Sequence, residues 1–204
     1  MILGATGATG QHLVSQALQQ GHAVTAFVRD PERLTSKHDR LRVVTGTVED
    51  PAALDGAIRG QDVVISALGR GQSFKSHGLI AKSVPLVVAA MERQGVRRLV
   101  FMSAFGVGET WRDVPAMPRL FMRTLLRDIY TDKTVGESIL RRSQLDWTIV
   151  QPVGLTNGPH TGRYRVGERL DLRGFPAISR ADVADFILTQ LGPETNVRKT
   201  LLVG

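Results

Sequence analysis

Gly4, Gly7 and Gly10 recur every third residue in GATGATG, with Thr6, Ala8 and Thr9 between them. Following an apolar run and preceding an amphipathic stretch, this spacing suits a strand-to-helix turn against which a pyrophosphate can lie. Gly4 would permit the turn, Gly7 would let the anion touch the main chain, and Gly10 would let the helix pack closely on the sheet. First-turn amides then face the phosphate, and the helix dipole adds to the attraction. The hydroxyls of Thr6 and Thr9 can donate further bonds, with helix capping an equal role for Thr9. The next run, AVTAFVRD, ends in Arg29, and Arg33 follows one helical turn later in RDPERL. Such guanidinium groups can clamp a ribose 2′-phosphate, which a carboxylate at that place would repel. Asp30 is adjacent and could still serve a ribose hydroxyl, so the residues favour NADPH over NADH without excluding NADH.

Composition removes several other chemistries. The chain has 204 residues with 42% hydrophobic and 22% charged residues, which is the profile of a globular protein with a full core. With no cysteine, thiol catalysis, disulfides and thiolate metal sites are excluded. The histidines at 12, 22, 38, 77 and 160 share no metal-ligand spacing, so no metal is expected. Runs such as VPLVVAAM are too short to span a bilayer, and no secretory signal opens the chain, so a cytoplasmic location is expected without a membrane partner. The net charge of +7 is scattered, and no recognition motif accompanies it, so an anionic small molecule is expected in place of nucleic acid. A monomer or weak homodimer is expected. Arg119, Arg123 and Arg127 read as a solvated helical stripe. Ser103, in MSAFG, lacks the preceding glycine of a nucleophile elbow, which argues against a hydrolase.

Positioning these groups requires strands and helices in alternation. Short apolar runs at MIL, AVTAFV, LRVVTG, DVVISALG, RRLVFMSA, DWTIVQP and TLLVG predict strands. Helical patterns begin near Gln11, Pro51, His77, Pro118 and Ala181. The alternation predicts an α/β fold: one Rossmann-like domain over residues 1–204, with a doubly wound parallel sheet. Two Gly- and Pro-rich stretches, near 104–118 and 156–176, are expected to cover the ligand at the carboxyl ends of the strands.

Taken in order, GATGATG, VRDPERL, SALG, MSAFG and LDWTIVQPVGL resemble the atypical short-chain dehydrogenase/reductase superfamily. Within it the chain is similar to NAD(P)H-binding flavin reductases and biliverdin reductase B-like proteins, and more loosely to NmrA-like redox sensors. The resemblance implies that Gly4, Thr6, Gly7, Ala8 and Thr9 hold the pyrophosphate and that Arg29 and Arg33 hold the 2′-phosphate. It places Thr47 and Val48 at the adenine, with threonine where the family often has aspartate. Leu68 and Gly69 would border the cofactor, Arg70 would add a phosphate contact, and Pro152 and Val153 would lie beside it. Ser103 matches a serine near the nicotinamide.

The catalytic implications are thinner. Lys133 stands where the family's lysine belongs, but the residue four before it is Ile129, and Tyr130 is out of register by one, turned by about 100°. A tyrosine-driven alcohol dehydrogenase is therefore not expected; Lys133 either holds the nicotinamide ribose or forms a surface pair with Glu137. Gly154 replaces the histidine of the related reductases, and Gln151 replaces an arginine common in the superfamily. No specialised proton donor is visible, which a flavin or quinone tolerates better than a carbonyl because its reduced form can take protons from water. Trp111, Phe74, Phe105, Phe121 and Tyr164 are candidates to line a pocket for a flat acceptor, whereas Trp147 reads as structural. The expected function is NADPH-dependent hydride transfer to a flavin, quinone or similar small planar conjugated substrate. A non-catalytic dinucleotide sensor of the NmrA-like type is the alternative, and a nucleotide-sugar epimerase the weaker one, for want of a large substrate domain.

Overall fold

The computed structural model describes residues 1–69, 75–172, 174, 176–192 and 195–204, with the backbone alone described at 116–118 and 121. Its strands are β1 (Ile2–Leu3), β2 (Val24–Val28), β3 (Leu41–Thr45), β4 (Val63–Ser66), β5 (Arg98–Met102), β6 (Asp146–Pro152), β7 (Gly154–Thr156), β8 (Val166–Gly167), β9 (Ala177–Ser179) and β10 (Lys199–Val203). Its helices are α1 (Ala8–Gln19), α2 (Pro51–Ile58), α3 (Leu79–Gln94), α4 (Ala116–Thr124), α5 (Arg127–Arg142) and α6 (Arg180–Thr189). The main sheet has the order β3-β2-β1-β4-β5-β6-β10-β8. All its pairings are parallel except the edge pair β8–β10. The expected doubly wound sheet is thus present, with one antiparallel edge strand added.

Burial on both faces explains the strands' composition. β2 is buried at all five residues, so VTAFV needs no polar alternation. One apolar cluster joins Leu13, Val14, Ala17 and Leu18 of α1 to Val183, Ala184 and Ile187 of α6 on one face of the sheet. A second joins Leu54 and Ile58 of α2, Val84, Val87 and Met91 of α3, and Leu140 of α5 on the other. At Gly136 of α5 a Cβ would run into Ile80 Cγ2, so this glycine sets how closely α5 and α3 approach.

The helical pattern near Pro118 is two helices, α4 and α5, which meet at Leu125 and Leu126. The expected solvated arginine stripe is therefore broken. Arg119 turns back instead, donating to the carbonyls of Val114 and Arg112 and lying 6.0 Å from the Trp111 ring centroid. The Gly- and Pro-rich stretch 156–176 carries β8 and leads into β9, which pairs with β7 in a small second sheet. Asp182 fastens this stretch to α6. Its carboxylate accepts from the amides of Thr161 (2.7 Å) and Gly162 (2.9 Å) and from the hydroxyls of Thr161 (2.9 Å) and Ser179 (2.8 Å). Burial alone would raise this carboxyl, but those donors hold it below the usual carboxylate range.

Candidate functional site

The turn between β1 and α1 has the shape its glycines predict. Gly4 adopts φ +78°, and a Cβ there would stand 2.6 Å from the Ala67 carbonyl oxygen, so only glycine fits between β1 and the end of β4. At Gly10 a Cβ would collide with the Gly4 carbonyl oxygen and lie 2.9 Å from Ala5 Cα, which is the close helix–sheet approach expected. Gly7 is the N-cap of α1 and supplies no side-chain cap, and the first turn carries no acidic residue. The orphan amides of that turn are therefore available to an anion. Thr9, expected as a possible cap, is instead buried at the second position of the helix, and Ala8 is exposed at its first. This cradle fits a pyrophosphate.

Beside the cradle lies a cavity of about 440 Å³ at the carboxyl ends of the strands. It is bounded by Gly4, Thr6 and Gly7 at the first turn, by Phe27, Val28 and Arg29 at the end of β2, by Thr47 and Val48 after β3, and by Leu68 and Gly69 after β4. Arg33 reaches it from a single 3₁₀ turn at Pro31–Arg33. Of the residues expected to bind the cofactor, Gly4, Thr6, Gly7, Arg29, Arg33, Thr47, Val48, Leu68 and Gly69 thus share one cleft. Arg70 and Phe74 lie outside the described residues. Pro152 and Val153 are buried at the end of β6 and do not line the cavity; Val153 packs against Gly204.

Asp30 is not among the residues that line the cavity, and its carboxylate accepts from the Glu32 amide at 3.2 Å, capping the 3₁₀ turn. Arg29 and Arg33 are both exposed at the rim of this cavity. Sequence reasoning missed three polar lining residues, Glu49, His77 and Lys82. The signal for Lys82 was available, since it stands in the first turn of α3, directly after a glycine-rich segment.

Further along the same sheet edge, α5 places a buried polar group against the ends of β5 and β6. Lys133 donates to the carbonyl of Met102 at 3.4 Å, one residue before Ser103. Burial pushes its amine down to about 8, with Glu137 and Asp132 opposing that fall. Of the two roles expected for Lys133, the surface pair with Glu137 is not formed, because both side chains are buried and Glu137 is committed elsewhere. Its carboxylate accepts from Gln151 Nε2 at 2.7 Å and from Arg141 at 3.4 Å. Burial raises the Glu137 carboxyl above its ordinary value, and Ser103, Gln151 and Arg141 partly offset the rise. Ser103 Oγ is enclosed and near that carboxylate without meeting hydrogen-bond geometry to any partner. Asp132 is occupied in capping α3, accepting from the amides of Ile80 (3.0 Å) and Ala81 (2.8 Å).

Tyr130 is out of register as the sequence implies. Its hydroxyl donates to the Phe105 carbonyl at 3.1 Å, and burial pushes it up to about 12, which leaves it a poor proton exchanger. Among the aromatic candidates, Phe105 is buried in the core, Tyr164 packs on Phe186 and donates to Asp185 at 2.6 Å, and Trp111 meets Tyr130 edge-on. The side chain of Phe121 lies outside the described residues. Trp147 is buried in β6 as expected. Among the described residues no group of three potential metal ligands occurs, and no helix is long and apolar enough to cross a membrane.

Comparison with known proteins agrees with this geometry. The chain is 30% identical over 198 residues to the Bacillus subtilis protein named uncharacterized sugar epimerase YhfK, covering 93% of this chain and 86% of that one. It is 25% identical to ChuY of Escherichia coli O157:H7, described as an anaerobillin reductase, with a TM-score of 0.81 over 99% of this chain and 94% of that one. A short-chain dehydrogenase/reductase of Veillonella parvula solved in complex with NADP shares the fold, with a TM-score of 0.84 at 23% identity, covering 100% of this chain and 92% of that chain. A family model described as NAD(P)H-binding matches residues 4–193, from the first glycine of the cradle to beyond α6, and on that match the chain belongs to the NAD(P)H-binding family.

Proposed function

We propose that the protein is an NADPH-dependent reductase that passes hydride to a flavin, quinone or similar planar conjugated acceptor. The observation that carries this reading is the pairing, within one cleft, of an uncapped glycine cradle with Arg29 and Arg33, while Asp30 is engaged in its own turn. Gly4, Thr6 and Gly7, with the first-turn amides at Ala8, Thr9 and Gly10, would hold the pyrophosphate. Arg29 and Arg33 would grip the 2′-phosphate through charge-assisted bonds, and Phe27, Thr47 and Val48 would face the adenine. The bound cofactor supplies the hydride. The protein's part is to orient the ring and to exclude water, which can contribute much of the rate when the reacting atoms are held about 3 to 3.5 Å apart. Ser103 and Lys133, at the end of β5, would stand on the nicotinamide side.

Reductase relatives support this class of reaction; ChuY, which is similar over 99% of this chain, is described as a reductase. A second reading, a dinucleotide sensor without turnover, is favoured by two features: the phenol of Tyr130 is tied to Phe105, and position 154 carries no side chain able to give a proton. NADPH oxidation followed with FMN, riboflavin, biliverdin and a panel of quinones separates the two. Turnover with any of these is expected. NADPH binding without oxidation by every acceptor would overturn the reductase reading in favour of the sensor.

A further inference from the structure

The cavity beside the cradle is bounded by β2, β1, β4 and the turns that follow β3 and β4. On the proposed reading it would take the adenosine and pyrophosphate portions of a dinucleotide. From the cradle the nicotinamide portion would then extend the other way, over β4 and on toward β5 and β6, since the sheet order beyond β1 is β4-β5-β6. Strands are spaced about 4.8 Å apart, so the end of β5 lies about 10 Å from β1, within reach of that portion. What stands there is the turn leaving β5, residues 104–110.

That turn is fastened from beneath. Gln151 of β6 donates from Nε2 both to Glu137 Oε1 (2.7 Å) and to the Val107 carbonyl (3.1 Å). The Thr110 hydroxyl lies 2.7 Å from Gln151 Oε1 and 3.0 Å from the Val107 carbonyl, and it accepts from the Gly106 amide at 3.0 Å. Glu137, Gln151 and Thr110 are 2%, 0% and 6% exposed, so bulk water cannot replace these bonds. A Cβ at Gly108 would stand 3.3 Å from Glu137 Oε2, which shows how closely the turn is drawn over the carboxylate. An apolar residue would fill this space more cheaply than a carboxylate, whose burial opposes its charge. A carboxylate at 137 fixes the Gln151 amide with its nitrogen toward Glu137 and its oxygen toward Thr110, and so sets the direction of every bond in the chain.

We propose that Glu137 is a positioning residue for the nicotinamide ring: through Gln151 and Thr110 its carboxylate sets the 104–110 turn, and beside it the Ser103 hydroxyl, against the ring. This rests on the dinucleotide part of the functional reading and not on turnover. Reduced nicotinamide emits more strongly when shielded from water, so the emission of bound NADPH reports how the turn covers the ring without any acceptor present.

The test compares wild type with Glu137→Ala, Glu137→Gln and Thr110→Val, measuring NADPH dissociation constants by calorimetry and the emission of the saturated complexes. Wild type is expected to enhance NADPH emission. Glu137→Ala and Thr110→Val are expected to lose most of that enhancement while binding NADPH within about threefold of wild type, since the phosphates are held elsewhere. Glu137→Gln, which can still accept from Gln151, is expected to recover part of it. The double variant Glu137→Ala/Thr110→Val should be no worse than the worse single one, because both break the same chain. Unchanged emission in Thr110→Val, or additive losses in the double variant, would overturn the proposal even if Glu137→Ala failed to fold. Absence of NADPH binding by wild type would overturn the dinucleotide reading along with it, whereas normal binding with unchanged emission in the variants overturns the role of Glu137 alone.

Discussion

Replacing Lys133 with methionine should stabilise the protein at neutral pH. The lysine is buried, and the bond from its amine to the Met102 carbonyl is a long one of 3.4 Å. Burial lowers the amine from 10.5 to about 8, so below pH 8 the folded protein carries a buried charge that the unfolded chain holds in water. That gap corresponds to about 3 kcal/mol. Methionine matches the length of the side chain without the charge, and the unpaired Met102 carbonyl gives back about 1 kcal/mol, leaving a net gain of about 2 kcal/mol. For a chain of this size the gain amounts to a rise in Tm of about 4 to 8 °C. The sign of the pH dependence follows from proton binding. Between pH 8 and 10.5 the unfolded chain holds the Lys133 proton more tightly than the folded protein does, so wild-type stability gains with rising pH across that window. The Lys133→Met variant lacks this contribution, so its advantage should shrink from its full value near pH 7, vanish at about pH 10 and give way to a slight advantage for wild type above that, where only the lost bond to Met102 remains. Urea denaturation of both proteins at pH 7, 8, 9 and 10 measures it. A variant no more stable than wild type at pH 7, or a difference that stays constant with pH, would refute the reasoning.

Other consequences are equally direct. Gly10→Ala places a methyl group against the Gly4 carbonyl, backbone against backbone, so α1 must move off the sheet; a loss of ~3 kcal/mol in urea denaturation and a clear fall in NADPH affinity are expected. Asp182→Ala leaves the amides of Thr161 and Gly162 without their acceptor, which should cost about 2 kcal/mol and expose residues 157–163 to limited proteolysis. Because the Asp182 carboxyl is held below its usual range, wild type should lose this contribution only as pH falls through that lowered value. The Asp182→Ala variant should therefore show a shallower acid transition.

Much of this architecture was legible in the residues because the inner strands are buried on both faces, and AVTAFV or DVVISALG has no competing helical reading. The cradle was legible for a related reason: a backbone that must approach an anion and a neighbouring strand at once tolerates only glycine at Gly4 and Gly10. Periodicity failed where a helix changes direction without a glycine or proline to mark it, as at Leu125 and Leu126 between α4 and α5. It failed again at β7, β8 and β9, which are two or three residues long and owe their pairing to neighbours distant in sequence. The buried group at β5 and β6 was half legible. Lys133 and Ser103 were singled out by position. Glu137 and Gln151 read as a surface carboxylate and a substituted arginine, because nothing local in ESIL or IVQP tells that the two meet across 14 residues beneath a turn.

The most direct test of the whole account is a calorimetric titration of the protein with NADPH and, separately, with NADH, repeated with Arg29→Asp. If the cleft holds a dinucleotide by its pyrophosphate and 2′-phosphate, wild type binds NADPH at least about tenfold more tightly than NADH, as one lost charge-assisted contact of ~1.4 kcal/mol requires. Arg29→Asp should then abolish that preference. No heat with either cofactor, or a preference for NADPH that survives Arg29→Asp unchanged, would contradict it.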